Sequence, residues 1–293
     1  MALSPTRLGL VQALALSLSL SLSIALVGCQ GATLTTSSAA RDATDTRAAG
    51  PGRIDEELAV RALAIDTWLV VHEPFVAANV LVAKMPDGTV VICSSPFETE
   101  ASRALVAWIR STLKPTRVVA INTHFHFDGT GGNEAYQELG VETYASTSTQ
   151  RLLKEKGASL QAESAQQFEG VERQRMLAMK IAPAAHSFDE HAGLSFQLGG
   201  EEVRVVYPGP AHTADNVVVF FPARGVLFGG CMIKGSPTVG FIGHADLERW
   251  ESSVEVVRAL GARIVIPGHG PVGGAELFDL TTSVVRRARA GQK

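Results

Sequence analysis

The sequence contains few cysteines and no run of basic residues. Only three of its 293 residues are cysteine, and Cys93 and Cys231 are the two that remain after the N-terminal 29 residues. Two cysteines are too few for the disulfide framework of a small secreted domain. The formal net charge is −3. Without a cluster of Lys or Arg, the chain is not expected to bind nucleic acid.

Charged residues are also scarce. They make up 19% of the chain, whereas 46% of the residues are hydrophobic. This composition excludes an intrinsically disordered protein. The length suffices for one large globular domain or two small ones. No feature of the sequence predicts a protein partner.

The first 28 residues have the features of a targeting segment. Arg7 provides a positive end, and the apolar stretch "LGLVQALALSLSLSLSIALV" leads to Gly28 and Cys29. This ending resembles the lipobox of bacterial lipoproteins, in which the cysteine becomes lipid-modified. We therefore predict a lipoprotein signal peptide over 1–28 and lipidation of Cys29. The alternative is a plain transmembrane anchor, because the apolar run is nearly long enough to span a bilayer.

A flexible tether is predicted over 29–53, where the residues are small, polar and non-periodic. The folded domain is expected over 54–293. Gln30 after the cysteine favours the outer membrane, by resemblance to the lipoprotein sorting rule. The expected location is the periplasmic side of that membrane through the lipid anchor, or the soluble periplasm without lipidation.

Eight runs rich in β-branched residues predict strands, at 67–73, 79–85, 89–95, 116–122, 201–209, 216–222, 225–231 and 262–270. Helical spacing predicts helices at 98–113, 132–139, 147–156 and 246–260. The region 158–190 has weak periodicity and is interpreted as a helix of uncertain extent followed by a loop. Strand runs interrupted by helices occur in two successive halves of the chain, which suggests two sheets packed face to face with helices outside. Composition alone also permits a doubly wound sheet.

The run "THFHFDGTGG" places His124, His126 and Asp128 at alternate positions after an apolar stretch. In a strand, positions i and i+4 lie about 13 Å apart, too far to share a metal whose ligands sit about 2.1 Å away. In a helix, position i+2 points away from i and i+4. The run therefore predicts a curled loop at a strand end, with both histidines directed at one cation and the carboxylate at a second.

Three further donor residues follow predicted strands. His212 lies in "YPGPAHTADN", Cys231 ends "VLFGGC", and His269 lies in "IVIPGHG". Loops at the carboxyl ends of strands gather into sites, so these residues are expected to join the histidines of the earlier run.

The motifs "THFHFDGTGG", "YPGPAHTADNVVVFFP", "GVLFGGCMIK" and "VIPGHG" resemble those of the class B metallo-β-lactamases, first subclass, over roughly residues 60–290. This resemblance implies an α/β fold, the four-layer αββα sandwich, with two zinc ions per chain at the upper edge of its sheets. It implies that one zinc is bound by His124, His126 and His212. It implies that the other is bound by Asp128, Cys231 and His269.

The implied activity is hydrolysis of the amide bond of β-lactam antibiotics, and hence antibiotic resistance. Penicillins and cephalosporins are the expected substrates, with carbapenems as a further class. Three imidazoles leave a zinc with an open position, where the pKa of water falls from about 15.7 to about 7, and the resulting hydroxide attacks the ring carbonyl. Asp128 is also assigned a catalytic role, because the second zinc site, of which it is a ligand, is expected to orient that hydroxide. Lys234 is expected to bind the substrate carboxylate.

The sequence departs from the family pattern at several positions. Gly129 stands where most hydrolases of the wider fold have a histidine, which argues against a thioesterase, lactonase or nuclease. Ser94 replaces an acid behind the second zinc and predicts weaker binding there. Phe241 takes the position of an asparagine that polarises the carbonyl. His244 falls where many relatives have an acid and is interpreted as a loop residue, while Cys93 is predicted to be core.

Two other functions remain open from the sequence. The first is a zinc hydrolase of the same fold that acts on another ester or amide. The second is a non-catalytic zinc-binding lipoprotein. Structural zinc is normally closed by four protein ligands, so the open position implied for one zinc argues against the second alternative.

Overall fold

A computed structural model describes residues 52–291 of the chain. The predicted signal peptide over 1–28, the lipidation site Cys29 and nearly all of the tether over 29–53 lie outside these residues. Within the described range, no helix has the length and apolar character needed to cross a membrane.

The larger of two β-sheets has eight strands that lie side by side in chain order. They are β1 (Gly52–Arg53), β2 (Leu58–Ala64), β3 (Thr67–His72), β4 (Ala78–Lys84), β5 (Thr89–Cys93), β6 (Arg117–Ile121), β7 (Glu142–Ser146) and β8 (His186–Phe188). Neighbours run antiparallel from β1 to β5 and parallel from β5 to β8.

The second sheet has five strands, again adjacent in chain order. They are β9 (Leu194–Leu198), β10 (Glu201–Val206), β11 (Val218–Phe221), β12 (Val226–Gly230) and β13 (Ile264–Pro267). The pairs are antiparallel except for β12 with β13. A parallel pair needs a crossover connection, and the connection here contains a helix.

Helices flank both sheets. They are α1 (Thr99–Trp108), α2 (Phe127–Thr130), α3 (Asn133–Glu138), α4 (Thr147–Ala165), α5 (Gly170–Ala178), α6 (Trp250–Arg258) and α7 (Glu276–Gly291). The first continues directly into a π-helical turn over Ile109–Leu113.

The core between the sheets follows from the alternation of side chains along each strand. In β4, Leu81 and Ala83 belong to the cluster that Phe228 of the second sheet also enters. Val80 and Val82 belong to a different cluster with residues of α1. Both faces of β4 are therefore buried, which explains why its sequence reads as a continuous apolar run.

The outer layers are helical. Leu105 of α1 and Tyr136 of α3 pack on the outer face of the larger sheet, and Trp250 of α6 and Phe278 of α7 pack on that of the smaller one. Burying one large apolar side chain contributes about 1.5–3 kcal/mol. The Trp250 indole also donates to the Met232 carbonyl at 2.8 Å. The order of layers confirms the predicted four-layer αββα sandwich and excludes a doubly wound sheet.

The eight predicted strand runs each contain a strand. The structure corrects two helix predictions: the helix from Thr147 extends to Ala165, and the helix predicted over 246–260 forms over Trp250–Arg258. The region of weak periodicity contains the end of α4, then α5 and β8. Apolar residues of α4 and α5 pack around Phe125 and Phe127 of the run 123–132, here called the His-rich loop. These contacts do not follow the spacing of one apolar stripe along a helix, so periodicity does not reveal them.

An ion-pair network fixes α5 against the larger sheet. Arg175 of α5 donates to Glu57, just before β2, at 2.6 and 2.7 Å, and its Nε donates to Glu98, the residue before α1, at 2.9 Å. His72 lies in the same cluster, and burial lowers its pKa to about 4. The Arg175 guanidinium lies between the two carboxylates and pairs with both, so we interpret this cluster as a structural anchor for α5.

Candidate metal and substrate site

The six predicted donor residues converge at one edge of the sandwich, five on loops that follow four strands and Asp128 in the short helix α2. His124 and His126 follow β6, His212 follows β10, Cys231 follows β12 and His269 follows β13. Residues 124–126 form bends, and helix begins only at Phe127. The His-x-His run is thus curled, as its spacing predicts.

The first donor group consists of His124, His126 and His212. One ring nitrogen from each lies within 4.8 Å of the other two, and all three residues are buried. His212 Nε2 and His126 Nδ1 are 3.1 Å apart. Three imidazole nitrogens therefore face one small volume.

The second donor group is centred on Asp128. One ligand atom each from His124, Asp128 and Cys231 lies within 4.8 Å of the others. The Cys231 thiol donates to Asp128 Oδ2 at 2.7 Å, and His269 Nε2 lies 3.2 Å from the same oxygen. His124 Nε2 is 3.3 Å from Asp128 Oδ1. His124 therefore adjoins both groups.

Burial and neighbouring charges shift the pKa of every donor residue. Burial opposes ionisation of Asp128, yet His124 and hydrogen bonds hold its pKa well below the usual value. Burial also opposes a thiolate at Cys231, as does Asp128, but His269 and His124 lower the net pKa of the thiol. Burial, reinforced by neighbouring positive groups, lowers the pKa of His126 and His212. Against the effect of burial, Asp128 and Cys231 instead raise the pKa of His124 and His269, so the acidic and basic members of the second donor group stabilise one another's charged forms.

This donor set fits zinc. Zinc prefers imidazole nitrogen, thiolate sulfur and carboxylate oxygen, and these are the three donor types gathered here. His212 Nδ1 and His124 Nε2 are buried without a hydrogen-bond partner among residues 52–291. A cation between the groups would satisfy the inward-facing His124 nitrogen.

Contacts behind the ligands orient the imidazoles. His124 Nδ1 lies 3.2 Å from Thr123 Oγ1, which is 2.7 Å from Ser94 Oγ. His269 Nδ1 donates to the Ala77 carbonyl at 2.8 Å. Ser94 therefore reaches His124 through a hydroxyl relay.

A pocket of about 450 Å³ opens over the donors. One wall comes from α4, α5 and the link between them, and the opposite wall from the segment 233–241. The first wall contains Leu160, Glu163, Ser164, Gln167, Phe168 and Met176. This helical wall, supplied by the region of weak periodicity, is the largest part of the site that sequence reasoning misses.

Lys234 lines the same pocket and is only 9% exposed. Its ammonium lies 5.0 Å from the Trp250 ring centroid, and no carboxylate of the described residues forms an ion pair with it. Burial lowers the pKa of Lys234, although Cys231 and Asp128 oppose this shift. A buried cation without a protein anion is suited to an anionic ligand.

The structure also places the positions that depart from the family pattern. A Cβ on Gly129 would lie 2.4 Å from the His124 carbonyl oxygen, so a side chain there would require the loop to shift. Phe241 lines the pocket and packs its ring 5.7 Å from that of His126. Cys93 is fully buried, which confirms the core prediction.

His244 lies in a loop and belongs to neither donor group, in agreement with its interpretation as a loop residue rather than a ligand, yet it contacts one of the predicted ligands. Its Nδ1 lies 2.9 Å from His126 Nε2. The contact joins residues 118 positions apart, and only the identity of the residue, a histidine where relatives have an acid, hints at it in the sequence.

Comparison with known proteins agrees with this geometry. Residues 73–269 match the Metallo-beta-lactamase superfamily, and the chain belongs to that superfamily, membership of which indicates a metal-binding hydrolase. The resemblance to class B metallo-β-lactamases is thereby confirmed.

Individual relatives span most of the chain. A metallo-beta-lactamase type 2 from Bacteroides fragilis is 31% identical over 200 residues, 67% of this chain and 70% of the relative. One from Pseudomonas aeruginosa is 31% identical over 229 residues, 74% and 80% of the two chains. The solved structure of FIM-1 from Pseudomonas aeruginosa in the mono-zinc form has a TM-score of 0.65 and 30% identity, covering 80% of this chain and 97% of its own.

We predict that Cys231→Ser lowers the amount of zinc bound per chain. The serine hydroxyl is a far weaker zinc ligand than a thiolate, and Cys231 is in contact with Asp128. Zinc is measured by elemental analysis after dialysis against a defined free zinc concentration. Cys93→Ser is the matched control, because Cys93 is buried in the core between the sheets. Equal zinc content in the wild type and Cys231→Ser would remove Cys231 from the metal site.

Proposed function

We propose that this protein hydrolyses the amide bond of β-lactam antibiotics in a zinc-dependent reaction. The observation that carries the proposal is one pocket with two adjacent metal-donor groups on its floor and the Lys234 ammonium on its wall. A β-lactam presents a reactive carbonyl and, in most bicyclic members, a carboxylate a short distance away. The relatives named above as metallo-beta-lactamases support the same substrate class.

We assign the metal ligands as the family resemblance indicates. His124, His126 and His212 would hold one zinc, and Asp128, Cys231 and His269 would hold a second. When bound, zinc supplies a Lewis acid for the lactam carbonyl and shifts the pKa of water toward neutrality.

The residues of the chain perform the remaining tasks. Lys234 binds the substrate carboxylate and so fixes the ring over the donors. Asp128, held ionised, orients the attacking water by accepting a hydrogen bond at a carboxylate oxygen. Phe168 and Met176 of the helical wall exclude water around the substrate side chain.

The proposal predicts that the full chain hydrolyses a penicillin, a cephalosporin and a carbapenem, and that a chelator abolishes each activity. Ring opening is followed by ultraviolet absorbance, and added zinc should restore the rate. A chain that binds zinc but opens none of the three rings would contradict the proposal and favour another ester or amide as substrate. Hydrolysis that resists the chelator after full metal removal would contradict the role of zinc.

The role of Lys234 has its own test. A charge-assisted hydrogen bond contributes roughly 1.5–3 kcal/mol, and about 1.4 kcal/mol corresponds to one decade in affinity. We therefore expect Lys234→Ala to raise KM for carboxylate-bearing β-lactams by about tenfold or more, with little change in kcat if the contact is equal in the ground and transition states.

A neutral ester of the same β-lactam should be affected much less, because no anion remains to pair. Lys154→Ala is the control, since Lys154 is an exposed lysine of α4. Equal losses on the acid and the ester would assign Lys234 a structural role instead.

We also propose that Cys29 anchors the protein to the outer membrane through lipid, facing the periplasm. The support is the apolar export segment that ends in Leu26-Val27-Gly28-Cys29. Cys29→Ser should abolish incorporation of labelled fatty acid and release the protein from the membrane fraction. Incorporation at the wild-type level in this variant would contradict the anchor.

A further inference from the structure

His244 lies outside the predicted ligand set and yet contacts it. It is half-buried in the segment between β12 and α6, and its Nδ1 is 2.9 Å from His126 Nε2. Its ring packs 5.1 Å from that of Phe125 and 5.3 Å from that of Phe241. The two aromatic rings therefore limit the orientations available to the His244 imidazole.

A cation at the first donor group would define the direction of this hydrogen bond. His126 presents Nδ1 to the first donor group, 3.1 Å from His212 Nε2, and presents Nε2 to His244. A neutral imidazole has one protonated nitrogen and one lone-pair nitrogen. If Nδ1 carries the lone pair toward a cation, the proton is on Nε2. His126 Nε2–H then donates to His244 Nδ1, and His244 carries its own proton on Nε2.

The outer contact of His126 differs from those of the other ligand histidines. His269 Nδ1 meets a backbone carbonyl, and His124 Nδ1 meets the Thr123 hydroxyl. His212 Nδ1 has no partner among residues 52–291. Within that range, His126 alone has its outer nitrogen on a second imidazole, which can accept only when its Nδ1 is unprotonated.

We propose that His244 is a positioning residue for the metal site: it holds His126 in the Nε2–H tautomer and fixes the ring so that Nδ1 faces the cation. The inference rests on the metal-binding part of the proposed function, not on the identity of the substrate. Mutation of a residue that hydrogen-bonds to a metal ligand typically lowers metal affinity by about 10- to 100-fold. His244 therefore contributes to zinc affinity without touching the metal or the substrate.

The test compares two substitutions in the full chain. His244→Phe keeps an aromatic ring between Phe125 and Phe241 but has no acceptor. His244→Asn keeps an acceptor oxygen close to the position of Nδ1. His186→Phe is the matched control, because His186 stacks on Tyr144 at 4.7 Å in the larger sheet, away from the donors.

Zinc affinity is measured by competition with a chromophoric chelator, without substrate. We expect His244→Phe to weaken the tighter zinc by about 10- to 100-fold, His244→Asn to restore affinity to within about threefold, and His186→Phe to leave it unchanged. Nitrogen-15 spectra of the zinc-loaded protein should show His126 as a single Nε2–H tautomer in the wild type and His244→Asn. In His244→Phe the Nε2–H signal should shift or broaden.

Unchanged affinity and an unchanged His126 signal in His244→Phe would overturn the proposal. If His244→Phe loses the native circular dichroism spectrum, the zinc affinities of His244→Ala and His244→Asn are compared instead. Equal zinc affinities of these two variants would overturn the proposal. A wild-type chain that binds no zinc would overturn it together with the proposed function. A wild-type chain that binds zinc but opens no β-lactam would refute only the substrate assignment, and the affinity contrast would still support the role of His244.

Discussion

An ionised carboxylate buried beside a thiol and imidazoles is the constraint around which this site is organised. Asp128 is only 7% exposed, and its oxygens contact Cys231, His269 and His124. A buried charge is costly unless it is paired, so these contacts have to be kept for the loop to fold as it does. The donor geometry is therefore already assembled by the protein, and a metal ion would complete an arrangement that the charges favour.

The sandwich reduces the conformational entropy that is lost when the donor residues are ordered. The donors come from positions 124 to 269, yet each follows a strand whose position is fixed by sheet pairing and by a core buried on both faces. Because the donors lie close to the ends of rigid strands, their loops have little conformational freedom. Few additional contacts are therefore needed to orient the side chains. The relays through Thr123 and the Ala77 carbonyl supply those contacts.

The strands and the six donors leave local signals in the sequence, whereas the choice of the αββα sandwich over a doubly wound sheet depends on the family resemblance. The β-branched runs mark strands that are covered on both sides, and the alternate spacing of His124, His126 and Asp128 fits neither strand nor helix. The assignment of the donors to two zinc ions, and of Lys234 to a substrate carboxylate, remains a prediction from family resemblance. The helical wall is missed because Met176 and Leu160 pack on the aromatic residues of the His-rich loop instead of a sheet. His244 is missed because its contact depends on the path of a distant loop.

Two sets of contacts hold the pocket in place: the strand ends that carry the donors and the ion pairs of Arg175. The donors follow strand ends, whereas α5 of the wall is also tied by Arg175 to Glu57 and Glu98, which precede β2 and α1. Phe168 lines the pocket and is not a donor, so a change of its size would alter the volume open to a ligand. Substitutions in the helical wall would in this way change which ligands fit the pocket without replacing a metal donor.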